Sequence, residues 1–134
     1  MAPRVLLDTH IVIRGLIEPR KLSRGQQRVL DQASAFHETL GVSDMTLLEI
    51  ALLLQPEKRR LNVRLEDLLS ELDSRPIFQI LPITSEIATE IAWLVHALRD
   101  PLDAVIVATA RVHGLRLLTS DRRIIDSGLV PVIE

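Results

Sequence analysis

Short apolar runs recur along this chain, and stretches of helical periodicity separate them. Arg4-Val5-Leu6-Leu7, Thr39-Leu40-Gly41-Val42, Ile77-Phe78-Gln79-Ile80-Leu81 and Leu115-Arg116-Leu117-Leu118 each read as a buried strand, with Val130-Pro131-Val132-Ile133 as a fifth candidate. Strands that alternate with helices pair side by side in parallel and need helices on both faces of the sheet. No other feature narrows the fold so far. The chain is expected to be α/β, a three-layer α/β/α arrangement around a central, mostly parallel sheet of four or five short strands. At 134 residues it is expected to form a single domain over 1–134.

Helix boundaries follow from capping chemistry. Thr9 is expected to cap a helix that starts near His10 and stops at Glu18-Pro19. Ser23 caps a second helix through Ala33, and Ser43 or Asp44 caps an apolar one from Met45 to Leu54. Residues 62–74 carry apolar side chains at helical spacing, and Thr84 opens a helix bearing Glu86 and Glu90. Asp100-Pro101 starts a helix that closes on Gly114. A short helix around Ile124 and Ile125 ends near Gly128.

Composition excludes several chemistries. There is no Cys, so disulfides, thiolate metal sites and Cys nucleophiles are ruled out. Net charge is −2, which gives no overall basic field to attract nucleic acid. The arginines are grouped, however: Arg20, Arg24 and Arg28; Arg59, Arg60 and Arg64; Arg122 and Arg123. Each group is either a local basic face or a solvated surface. The only aromatic residues are Phe36, Phe78 and Trp93, too few for a base-stacking platform of several rings. No apolar run reaches the ~20 residues of a membrane span, and residues 1–17 lack a signal-peptide core. A soluble, cytoplasmic protein is expected.

The acids stand at the ends of the apolar runs. Asp8 follows the first strand and Asp121 the fourth, at the strand edge where parallel sheets bind ligands. Asp103 lies at about the third position of the helix after Asp100, where an acid suits a capping box and the positive helix end. Glu49 interrupts the apolar run Met45 to Leu54, with Thr46 on the same side of the helix. Taken singly, each acid reads as a cap or a solvated polar position. Taken together, four carboxylates converging on one sheet edge repel unless a cation relieves them, and such a donor set suits Mg²⁺ or Mn²⁺. His residues do not recur at zinc-ligand spacing.

Four segments carry a resemblance. Val5-Leu6-Leu7-Asp8-Thr9-His10, Val42-Ser43 leading to Leu48-Glu49-Ile50, Asp100-Pro101-Leu102-Asp103 with Ala108-Thr109-Ala110, and Leu118-Thr119-Ser120-Asp121 resemble the PIN-domain ribonucleases. Within that family they look most like the VapC-like toxins of toxin–antitoxin pairs. The likeness spans almost the whole chain and implies a PIN-like fold. It further implies that Asp8, Glu49, Asp103 and Asp121 are the catalytic and metal-binding quartet, holding one or two Mg²⁺ or Mn²⁺ ions. Thr9 and Thr119 would be supporting hydroxyls, Ser43 a lesser one and a helix cap, and Asp100 a cap. An RNA substrate and a cognate antitoxin are the implied partners. Three positions depart from the pattern: Ala104 where an Arg is frequent, Ile13-Arg14 where an aromatic is, and Leu48 where a Trp is.

Two other readings compete. Asp8-Thr9-His10-Ile11-Val12 is similar to the nucleophile loop of haloacid-dehalogenase-like phosphatases, but His10 replaces the second Asp. The late Lys of those enzymes, and of response-regulator receivers, has no counterpart, since the only lysines are Lys21 and Lys58. A non-catalytic PIN-like binding module is the alternative from a different class. The apolar helices over 45–54 and 87–98 exceed what a small monomer hides easily, so a homodimer is expected.

Overall fold

The computed structural model describes residues 2–57 and 61–134. Arg59, Arg60 and Lys58 lie outside the described residues. Strand β1 (Val5–Leu7) leads into α1 (Thr9–Ile17), a 3-10 turn (Pro19–Lys21) and α2 (Arg24–Phe36). Next come β2 (Leu40–Ser43), α3 (Asp44–Leu53), α4 (Leu65–Ser74) and β3 (Phe78–Leu81). Then α5 (Ser85–Leu98) and α6 (Pro101–His113) precede β4 (Arg116–Leu118), α7 (Arg122–Ser127) and β5 (Val132–Ile133).

All strand pairs are parallel, in the order β3-β2-β1-β4-β5. The chain builds outward from β1 through β2 to β3, then returns to place β4 on the other side of β1. The order therefore reverses between β1 and β4, and Leu6 registers with Leu117 and Leu7 with Leu118 across that seam. Crevices at such reversals, beyond the carboxyl ends of the strands, are where open α/β sheets bind ligands.

The strands are apolar runs because neighbouring side chains point to opposite faces and both faces are covered. Leu6 packs with Ile87, Leu94 and Leu98 of α5 and with Ala104 to Ala108 of α6. Leu7 packs on the other side with Ile11 and Val12 of α1, Leu30 and Ala33 of α2, and Leu72 of α4. A third cluster joins Ile13, Ile50, Leu54 and Leu68, which seats α3 and α4 against α1. The expected three layers are thus present, with an all-parallel sheet.

Two local expectations change. Asp8, not Thr9, caps α1: its carboxylate accepts from the Thr9 backbone N–H at 2.7 Å. Both side chains can cap, and Asp8 wins because the helix begins one residue earlier. The helical periodicity over 62–74 yields a helix only from Leu65, since residues 61–63 form bends.

Leu6 is fully buried on the central strand. Leu6→Ala is expected to cost about 2–5 kcal/mol of stability, measured by chemical denaturation.

Candidate functional site

The carboxyl ends of β1 and β4 meet at a hydrogen bond from Asp8 N to Leu118 O, 3.0 Å long. One residue beyond each strand stand Asp8 and Thr119. The Thr119 hydroxyl, fully buried, donates to Asp8 Oδ2 at 2.7 Å. The other Asp8 oxygen takes the α1 cap bond, so both are held. Asp8 is only 8% exposed. Burial pushes its pKa up more than the Thr119 bond, His10 and the Thr9 N–H pull it down, and Asp121 adds repulsion.

Because Asp8 supplies the cap, the Thr9 hydroxyl is free to act elsewhere. It donates to Glu49 Oε1 at 2.6 Å and lies 2.9 Å from the Thr46 hydroxyl, joining α1 to α3. Thr9 and Thr46 are fully buried, so the polar stripe of α3 turns inward here. Burial raises the Glu49 pKa first; the Thr9 bond lowers it and the Asp8 charge raises it. Ser43 is also buried, but its hydroxyl accepts from Met45 N at 3.1 Å, which makes it the α3 cap.

The second half of the site comes from α6 and α7. Asp100 caps α6 by accepting from Leu102 N at 2.9 Å, and Asp121 caps α7 by accepting from Arg123 N at 2.9 Å. Asp103 does not cap. Its Oδ2 is buried with no hydrogen-bond partner. The Arg123 guanidinium stands 3.4 Å from that oxygen, close enough to attract it but without hydrogen-bond geometry. The same nitrogen lies 3.3 Å from Asp121 Oδ2 and 4.0 Å from Asp100 Oδ2. Burial, then repulsion from Asp100 and Asp121, drives the Asp103 pKa up to about 6 despite Arg123. Asp8 adds to that repulsion.

The acids fall in two sets linked through Asp8: Asp103 feels the charges of Asp121 and Asp8, Asp8 feels Asp121, and Glu49 feels Asp8 and Asp100. Asp8 and Glu49 are bound by buried threonines; Asp103 and Asp121 share Arg123. No three acidic or His side chains among the described residues are already gathered closely enough to hold a metal ion. The donor set still fits a hard cation: carboxylate oxygens, with one buried and without a hydrogen bond.

Two functional contacts escape sequence reasoning. Arg123 reads in the sequence as half of a basic pair with Arg122, yet it faces the acids, while Arg122 pairs with Asp126 and Glu134. Gln26 is fully buried; it closes a capping box with Ser23 and donates to Ser120 Oγ at 2.8 Å. The Ser23-x-x-Gln26 spacing signals the box, but not the reach to Ser120.

Asp103 generates a prediction with a defined sign. Its folded pKa near 6 exceeds the ordinary 3.8. The folded state therefore binds this proton more tightly, and the charged form opposes folding once the pH rises through 6. The penalty is fully present at neutral pH, at most about 3 kcal/mol, and is gone below the unfolded pKa. In metal-free protein, Asp103→Asn is expected to raise Tm at about pH 7.5, with the gain fading toward about pH 4. Thermal denaturation in chelator at both pH values checks this; an equal gain at both would assign the effect to packing.

The PIN domain family model matches residues 5–128. Ribonuclease VapC22 of Mycobacterium tuberculosis (strain ATCC 25618 / H37Rv) is 32% identical over 121 residues, which is 90% of this chain and 88% of the relative. The DNA-bound VapBC structure from Salmonella typhimurium superposes with a TM-score of 0.72 at 15% identity, covering 98% of this chain and 97% of that one. FitAcB from Neisseria gonorrhoeae gives a TM-score of 0.63 at 27% identity, covering 97% and 96%. An all-parallel five-stranded sheet, acids at its order reversal and these likenesses agree: the chain belongs to the PIN-domain family, in its VapC-like branch.

Proposed function

We propose that this chain is a VapC-like ribonuclease toxin that hydrolyses RNA phosphodiester bonds at the edge of β1 and β4. Asp8, Glu49, Asp103 and Asp121 would hold Mg²⁺ or Mn²⁺, as one or two ions. The observation that carries the reading is Asp103, a buried carboxylate oxygen with no hydrogen bond, raised in pKa among three other acids. A fold that bears such a cost at its ligand-binding edge gains from a cation there. Held by these carboxylates, a divalent metal would supply water activation and neutralise charge that develops on the phosphate oxygens.

The chain's own groups supply the rest. Thr119 and the Thr9 N–H fix both oxygens of Asp8. Thr9 fixes Glu49 across the α1–α3 contact, and Thr46 holds the Thr9 hydroxyl. The start of α6 presents Asp103 at the positive end of a 13-residue helix, which eases its charge. Arg123 balances Asp103 and Asp121, so it would compete with a cation for these two carboxylates. No His base or covalent nucleophile is required.

The names of the relatives support an antitoxin as partner. Leu48, Leu52, Ile83 and Trp93 are exposed, Trp93 by 78%, which supports a homodimer. No helix among the described residues is long and apolar enough to cross a membrane, in keeping with a cytoplasmic, single-domain toxin over 1–134.

Incubation of the purified chain with a mixed structured RNA pool tests the reading. Cleavage is expected with Mg²⁺ or Mn²⁺, none with chelator, and a loss of about 100-fold or more in Asp8→Asn. Equal cleavage by parent and variant would expose a contaminating nuclease and remove the support.

Arg123→Gln separates balance from scaffold. With the competing guanidinium gone, Mn²⁺ is expected to bind several-fold more tightly by titration calorimetry. Weaker binding would mean that Arg123 holds the acids in place for the metal.

A further inference from the structure

The outer face of α2 carries chemistry that the acid site does not use. Arg24 and Arg28 are four residues apart and so lie on one side of the helix. Both are exposed, and neither has an ion pair or a side-chain hydrogen bond among the described residues. Several other arginines are engaged, Arg75 with Glu71, Arg111 with Glu90 and Arg122 with Glu134. Arg24, Gln27, Arg28, Asp31 and Phe36, all on α2, line one open, shallow groove along the helix face. Asp31, its one acid, accepts from Gln27 at 2.9 Å and leaves the guanidinium groups unpaired. Phe36, at the far end, is 69% exposed on a helix that buries Leu30 and Ala33.

The groove is anchored to the site. Gln26, two residues from Arg24, donates to Ser120, which sits between Thr119 and Asp121. The Ser23–Gln26 capping box fixes the start of α2, so this end of the groove is held at the acid edge. From Arg24 to Phe36 the helix rises about 18 Å, enough for a few nucleotides in line.

We infer that the α2 groove is the track along which single-stranded RNA leaves the acid site, with Arg24 and Arg28 on its phosphates and Phe36 stacked on a base. Two unpaired cations and one exposed ring form the pairing of chemistries that single strands require. An acidic protein segment would match the arginines but would offer the exposed Phe36 ring no base to stack on. The identity of the polymer rests on the ribonuclease reading above.

Fluorescence anisotropy of a labelled, mixed-sequence, single-stranded RNA tests the track, in chelator so that nothing is cut. Arg24→Gln/Arg28→Gln is expected to bind at least about tenfold more weakly at ~0.1 M salt, with a log–log salt slope shallower by about 1.4. Phe36→Ala is expected to bind about fivefold more weakly or worse with the slope unchanged. Arg24→Lys/Arg28→Lys keeps the slope, which separates charge from folding. Unchanged affinity and slope in the Gln double variant overturn the track, and loss of binding to a protein partner alone would reassign the face. Cleavage that is lost in Asp8→Asn but accompanied by parental RNA binding in the Gln double variant sinks the track and leaves the nuclease. RNA binding lost in the double variant, with no cleavage by the parent, does the reverse.

Discussion

The carboxylate of Asp8 ties the molecule together at the point where its strand order reverses. One oxygen starts α1 and the other holds Thr119 at the end of β4. An ionised group this buried is costly unless its lone pairs are met, and both oxygens have donors at 2.7 Å. Those bonds lower its pKa, yet burial prevails and the shift is upward. Asp8 is thus held in geometry but left short of positive charge.

That shortage separates the two halves of the site. Around Asp8 and Glu49, buried hydroxyls from Thr9, Thr46 and Thr119 fill the hydrogen-bond capacity and stiffen the side chains. Around Asp103 and Asp121 the only balance among the described residues comes from Arg123, a mostly exposed side chain that water screens. Burial, with repulsion from Asp100 and Asp121, pushes the Asp103 pKa up to about 6, and the screened guanidinium does not offset it. A small divalent cation would fit both halves better: it reaches buried oxygens and brings two charges to one point.

Much of this was legible in the sequence, because patterns of period two and three and a half report burial. The runs 4–7, 39–42 and 115–118 became β1, β2 and β4 with shifts of a residue. Glu49 was conspicuous because an acid inside an apolar helix needs a polar partner, and it has Thr9. What could not be read was direction. Arg122 and Arg123 are adjacent, so their side chains leave α7 about 100° apart; one meets Glu134 and the other the acids. Asp103 occupies a position that suits a capping box, but Asp100 already satisfies the helix start, which leaves Asp103 pointing into the cleft. Gln26 reads as a cap, and only the tertiary fold brings Ser120 within its reach.

Charge sets a problem that the whole surface must solve. On the ribonuclease proposal the substrate is a polyanion, while this chain carries a net charge of −2 and its candidate site is a cluster of acids. No long-range field draws the substrate in, and without metal the site repels phosphate. Attraction must therefore be local and placed beside the acids rather than among them. Arg123 cannot supply it while it balances Asp103 and Asp121. The α2 arginines can, since they are unpaired and their helix is pinned to Ser120. On this view Gln26 has a task beyond capping: it holds the cationic face at a fixed offset from the acidic one, so that a strand bound on α2 enters the cleft in one register.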